Sequence, residues 1–182
     1  MEYKKTVSNP MLVGSIELMK ADPSPEHKQM FIDEMMKGKF ISPVIITPMP
    51  EEDENGKVKL TQENKVQFPM LTAPDGKNFF MAFTDMMEFK KWKKDGESQE
   101  DKPFFALTMD EFCAMTMRRD SVSMGAVINP FGANILVPRE MMASLMAAKL
   151  AKMGIKPMPR PQEAQSGQPG QSAQGAQKAE EK

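Results

Sequence analysis

The sequence predicts an α+β domain, a mixed β-sheet of about five or six short strands packed by four or five helices. Two observations carry that reading. Helix-start signals (Asn9-Pro10, Ser24-Pro25, Asp85, Thr108, Pro138) are scattered among short β-branched or alternating runs. Their order is helix, helix, strands, helix, strand, helix, two strands, helix, which lacks the regular strand–helix alternation of a parallel α/β fold.

The elements follow in order. Asn9-Pro10 opens a short helix, with Asn9 placed to accept backbone N–H bonds and Leu12, Ile16 and Met19 on one face. Ser24-Pro25 repeats the start signal for a helix with the stripe Met30, Phe31 and Met35, and Gly38 stands where a left-handed terminating residue belongs. The run Phe40-Ile41-Ser42-Pro43-Val44-Ile45-Ile46-Thr47 is β-branched and reads as a strand, with Pro43 setting it at an edge or near a strand start. A charged loop over residues 48–57 follows. Residues 65–71 alternate, putting Val66, Phe68 and Met70 on one face. Pro74-Asp75-Gly76 is a turn into a strand over residues 78–83.

Asp85 caps a helix that carries Phe89 and Trp92 on its inner side, with Glu88 completing a variant capping box. Phe104-Phe105-Ala106-Leu107 is a strand, and Thr108 with Glu111 makes a capping box for a helix reaching about Arg118. Ala126-Val127-Ile128 and Ile135-Leu136-Val137 are strands around Asn129-Pro130-Phe131-Gly132. Pro138 starts the last helix, residues 139–153, which Gly154 ends.

Residues 1–154 therefore read as one domain. Beyond it, residues 155–182 are mostly Pro, Gln, Gly, Ala and Ser. Ordering such a segment would cost about 1–2 kcal/mol of backbone entropy per residue with little apolar surface to bury, so it reads as a disordered tail.

Composition bounds function. The chain has 182 residues, 40% hydrophobic and 27% charged, an ordinary globular balance that needs no disulfide or metal staple. A net charge of −1 gives no field of one sign to attract nucleic acid or an acidic membrane. The single cysteine, Cys113, cannot close an internal disulfide, the N-terminus is polar, and no run approaches ~18 apolar residues. A cytoplasmic location is expected by elimination. Methionine is abundant, at 20 residues, and suits either an irregular core or a groove for a partner helix.

Catalytic chemistry is hard to place. The one histidine, His27, lies in the first turn of a helix and reads as a surface or capping side chain, leaving no base for a nucleophilic triad. Cys113 sits among Phe112 and Met115 and reads as a buried, inert thiol. Zinc spacings and Gly-rich phosphate loops are absent from the sequence. Glu51, Asp53 and Asn55-Gly56 have the spacing of a calcium loop, but Gln62 stands at the bidentate position, so a hairpin turn at Asn55-Gly56 is the better reading. Lys90-Lys91-Trp92-Lys93-Lys94 is offset by Asp85, Glu88, Asp95, Glu97, Glu100 and Asp101, and reads as a solvated face around one buried Trp. No metal or other cofactor is expected.

Three segments resemble the SseB protein N-terminal domain family of bacteria, whose name refers to enhanced serine sensitivity. They are the strand Phe40-Ile41-Ser42-Pro43-Val44 after a helix; Phe68-Pro69-Met70-Leu71-Thr72-Ala73-Pro74-Asp75-Gly76 with Phe79, Phe83, Thr84-Asp85 and Trp92; and the run from Gly125 through Asn129-Pro130-Phe131-Gly132 to Pro138-Arg139-Glu140. The likeness covers about residues 30–149. It brings no catalytic residues with it. Longer members of the family are expected to carry a second C-terminal domain where this sequence has the low-complexity tail.

The expectation is a non-catalytic accessory or protein-interaction module, with a partner protein of unknown identity and no nucleic acid or membrane. Its candidate interaction loop is Asn129, Phe131 and Asn134, with Arg139 at the following helix start. The alternative is a regulatory domain for a small, amino-acid-related metabolite, which would need a pocket of ~300 Å³ or more. An enzyme using unrecognised carboxylates or lysines is a third reading. Lone strands such as Val44-Ile45-Ile46-Thr47 could also pair between chains to give a homo-oligomer.

Overall fold

The computed structural model describes residues 2–3, 6–50, 60–94, 96–99 and 101–155. The tail beyond Ile155 and the expected turn at Asn55-Gly56, with its calcium-like spacing, lie outside the described residues. The elements are β1 (Glu2–Tyr3), α1 (Pro10–Ala21), α2 (Pro25–Lys37), β2 (Lys39–Pro43), β3 (Ile45–Thr47), β4 (Lys65–Gln67), β5 (Met70–Thr72) and β6 (Asn78–Ala82). They continue with α3 (Met86–Lys90), β7 (Lys93–Lys94), β8 (Glu97–Ser98), β9 (Phe104–Thr108), α4 (Met109–Thr116), β10 (Ser123–Ile128), β11 (Ile135–Pro138) and α5 (Arg139–Lys152).

The fold is α+β, as the sequence indicates, but its strands are divided among several sheets. A mixed sheet has the order β11-β10-β6-β5, with β6 and β10 parallel; an antiparallel sheet has the order β1-β9-β2. The two meet at one antiparallel bridge, Ile41 to Phe83. β3–β4 and β7–β8 are two-stranded ribbons.

Alternation along the central strands produces two cores. Phe40 of β2, Phe80 and Ala82 of β6, and Phe105 and Leu107 of β9 face the larger one, where they meet Leu12, Ile16, Phe31, Met35, Phe112 and Met142 from the helices. Their neighbours Ile41, Met81, Phe104 and Ala106 face the smaller one, with Phe83 and Phe89. A strand buried on both faces has no polar alternation to show, which is why these segments read as continuous apolar runs. Each buried Phe contributes about 1.5–3 kcal/mol of burial, and edge-on pairs such as Phe40–Phe112 (6.3 Å) and Phe83–Phe89 (5.3 Å) fix their orientation.

Several local expectations hold. Ser24 accepts from the His27 N–H, Asp85 accepts from the Met87 and Glu88 N–H groups, and Thr108 with Glu111 forms the capping box. Others change. The alternating run over residues 65–71 is two strands, broken at Phe68-Pro69 because Pro69 has no N–H for a ladder; Val66, Phe68 and Met70 still share the larger core. α3 ends at Lys90, so Trp92 stands beyond it, half-buried against Phe89 at 5.9 Å. Met30 is 44% exposed rather than part of the stripe. Gly38 has φ −68, not a left-handed value; glycine matters there for space, since a Cβ would lie 3.2 Å from Asn9 Oδ1.

Candidate functional site

β6 and β10 run parallel, so their C-terminal ends open at the same pole of the mixed sheet. β6 leaves the sheet through Phe83-Thr84-Asp85, and β10 leaves it through Asn129-Pro130-Phe131-Gly132. This pole holds most of the candidate interaction residues.

Thr84 is its hub. The Thr84 N–H donates to Asn129 Oδ1 (2.9 Å), and Asn129 Nδ2 donates to Thr84 Oγ1 (2.9 Å). The Thr84 hydroxyl donates to Asp85 Oδ2 (2.9 Å), and the Thr84 carbonyl accepts from Asn9 Nδ2 (2.7 Å). Asn9 Nδ2 also donates to the Lys39 carbonyl (2.6 Å), while Asn9 Oδ1 accepts from the Lys39 N–H (3.3 Å). Asn9 thus makes no side-chain cap on its own helix, contrary to the sequence expectation. Its carboxamide instead ties the start of α1 to β2 and to the end of β6. Two asparagines satisfy both main-chain groups of Thr84, which is fully buried and would otherwise lose 1–3 kcal/mol per unpaired group.

The loop itself is pinned. The Asn129 carbonyl accepts from the N–H groups of Gly132 (2.9 Å) and Asn134 (2.8 Å), and the Asn129 N–H donates to the Ala82 carbonyl (2.8 Å). Asn129 (φ 49) and Asn134 (φ 52) are both left-handed, a conformation that asparagine tolerates better than most residues. Gly132 packs on Glu88 of α3, whose Oε2 a Cβ at that position would strike. Phe131 is held 41% exposed, stacked on buried Phe83 with centroids 6.3 Å and planes 17° apart. Met87, next to Glu88, is 79% exposed.

The structure brings Asn129, Phe131 and Asn134 into one loop, with different duties. Asn129 is 3% exposed and its side chain is spent on Thr84; Phe131 and Asn134 face outward. Arg139 is not part of the group. It follows Pro138, which pairs with Gly125 at the opposite end of the β10–β11 ladder from the loop, about 13 Å away at ~3.3 Å per residue. Sequence reasoning missed Asn9, Thr84 and Met87. Asn9 announced itself only as a cap, because its real partners lie 30 and 75 residues away.

A second feature is a half-open groove of about 680 Å³ on the flank of the smaller core, where β3 and β5 part. Met49, Met70, Met81 and Trp92 are among its walls, with Gln99 and Lys102.

The chemically notable groups lie elsewhere. His27 Nδ1 is 2.8 Å from the Asp22 carbonyl, on the surface of the α1–α2 turn. Cys113 is buried between α4 and α5, and burial, aided by the Asp110 carboxylate, pushes its thiol up to about 11. Asp110 pairs with Lys149 beside it. Among the described residues, no group of three or more His, Cys, Asp or Glu is placed to hold a metal ion, and no helix is long and apolar enough to cross a membrane.

The geometry is that of a two-cored α+β domain with a rigid aromatic-tipped loop. The family model of the SseB protein N-terminal domain matches residues 12–144, and the chain belongs to that family. No curated protein and no solved structure matches the chain.

Proposed function

We propose that this SseB-family chain is a non-catalytic accessory module that binds another protein through the face around Phe131 and Met87. One observation carries the reading. Phe131 sits in a loop whose backbone is fixed by Asn129, Asn134 and Gly132, yet its ring is presented outward. A rigid exposed aromatic loses little entropy on docking, and aromatic anchors supply much of the energy at protein interfaces. The raised thiol of Cys113 does not suit a nucleophile, and His27 Nδ1 lies against the carbonyl and carboxylate of Asp22 in the α1–α2 turn, away from the Phe131 loop. The reading includes no cofactor, no nucleic acid, no membrane and a cytoplasmic location.

The 680 Å³ groove favours one other reading, a regulatory domain for a small amino-acid-related metabolite, since ligand sites span about 300–1,000 Å³. The deciding experiment is affinity capture from bacterial lysate on the full chain, with mass spectrometry of everything retained. The expected result is a stoichiometric protein held by wild type and by a Glu140→Ala control, but lost from Phe131→Ser and Met87→Ser variants that keep the wild-type circular dichroism. A metabolite retained with no protein would sink the interaction reading.

A further inference from the structure

The groove is a consequence of two prolines. Ile41 and Phe83 exchange both main-chain bonds, the Ile41 N–H to the Phe83 carbonyl (2.8 Å) and the Phe83 N–H to the Ile41 carbonyl (2.9 Å). Past that bridge β2 and β6 do not continue as a ladder. Pro43 has no N–H to offer, and neither does Pro69, where the chain turns from β4 into β5. The Val44 N–H turns the other way, to the Pro103 carbonyl (2.9 Å). A wedge is left between the strands.

Its banks are strand edges. Three consecutive residues, Val44, Ile45 and Ile46, line one side, and Pro69, Met70 and Leu71 line the other. Successive side chains leave a strand on opposite faces, so a groove touched by consecutive residues runs between edges rather than across one face. Among the described residues, β5 is the edge strand of its sheet. In the β5–β6 hairpin the Ala73 N–H donates to the Lys77 carbonyl, and pairing continues as Leu71 with Phe79 and Met70 with Phe80. Antiparallel pairs alternate between exchanging bonds and facing outward, which turns the Met70 N–H and carbonyl away from β6.

The floor holds an unspent amide. Gln99 is only 7% exposed; its Nε2 donates to the Glu97 carbonyl (3.1 Å), while its Oε1 accepts from no described residue. That oxygen is not sealed off from solvent and borders the groove, where it can accept from a ligand's N–H. Around it are apolar surfaces on both sides of the strand plane, Met70 and Ile46 towards the larger core and Leu71, Met81 and Trp92 towards the smaller. Glu97 and Lys102 add one charge of each sign.

We infer that this wedge is a slot for an extended apolar peptide segment of a partner protein. The segment adds as a short strand beside β5. Its carbonyl and N–H pair with Met70, one of its amides donates to Gln99 Oε1, and its side chains enter the two apolar flanks alternately. Main-chain pairing of this kind supplies affinity at an exposed strand edge, with flanking pockets supplying specificity. Two strand edges and an unspent carboxamide match a peptide backbone better than a compact metabolite, which would leave the Met70 edge unused. The inference rests on the interaction reading above and gives it a second surface.

The test is selection of a displayed random heptapeptide library on the full chain, then titration of the best enriched peptide, fluorescently labelled, against variants. Alternating apolar residues are expected among the enriched peptides. Met70→Val should bind within about threefold of wild type, whereas Met70→Pro, which removes the outward N–H as well as replacing the side chain and fixing φ, and Gln99→Leu should each bind about tenfold more weakly, the loss expected for one hydrogen bond. Thermal unfolding confirms that each variant is folded, and Gln99→Leu decides the matter if Met70→Pro does not fold. Peptides indifferent to both variants, or binding of an apolar dye such as anilinonaphthalene sulfonate in the groove with no peptide enriched, would overturn the slot. A captured partner that depends on Phe131 alongside such a failure leaves the Phe131 face standing. Peptides in the slot with no Phe131-dependent partner reverse that outcome.

Discussion

The C-terminal end of β6 and its flank towards β5 lie within a few residues of each other and treat the backbone in opposite ways. At the end, each main-chain group of Thr84 meets an asparagine carboxamide, and Asn9, Lys39, Thr84 and Asn129 are stitched into one polar network. On the flank, Pro43 and Pro69 remove donors, the strands part, and Gln99 Oε1, which accepts from no described residue, borders a groove of about 680 Å³. The closed end gives the fold a fixed point from which Phe131 can project. On the open flank, by contrast, β5 ends its sheet among the described residues. Paired and unpaired main-chain groups are thus separated along one strand.

The sharpest way to break the contrast is Asn129→Leu. It strips the bond to the buried Thr84 N–H and places a branched side chain at a left-handed φ, and a loss of about 2–4 kcal/mol is expected by urea unfolding. A loss under 1 kcal/mol would mean the stitch does not hold the pole together. Asn9→Ala removes the link between α1, β2 and β6 at a more exposed position, and about 1–2 kcal/mol is expected in the same assay. On the open flank, Gln99→Leu should change stability by less than about 0.5 kcal/mol, or raise it, because an under-used buried carboxamide is exchanged for an apolar side chain of similar size. Large destabilisation there would show that Gln99 supports the fold and would erase the distinction.

Much of the architecture was legible along the chain. Ser24, Asp85 and Thr108 cap helices as their local sequence implies, because a cap and its N–H partners lie within three residues. The turn at Asn129-Pro130-Phe131-Gly132 was legible for the same reason. The two-residue strands β1, β7 and β8 were not, since two residues show no periodicity. Nor was the role of Asn9, because an Asn-Pro pair at a helix start looks the same whether its carboxamide caps the helix or crosses to another strand.

The candidate loop was legible only in part. Sequence placed Phe131 correctly in a turn over residues 129–132, but joined Arg139 to that loop by proximity along the chain, and the β10–β11 ladder carries it to the other end. The groove left no signature, because its banks are 25 residues apart in sequence and its floor is supplied by three further segments.

By itself, then, the sequence determined what short-range chemistry determines: where helices start, which runs form strands, and that Cys113 lies among apolar neighbours. Only the tertiary structure decided which strands pair, which asparagines stitch them, and where proline forces two sheets to part. Those outcomes depend on contacts between residues dozens of positions apart, and hydrogen-bonding groups carry no mark of a distant partner until the chain has closed around them.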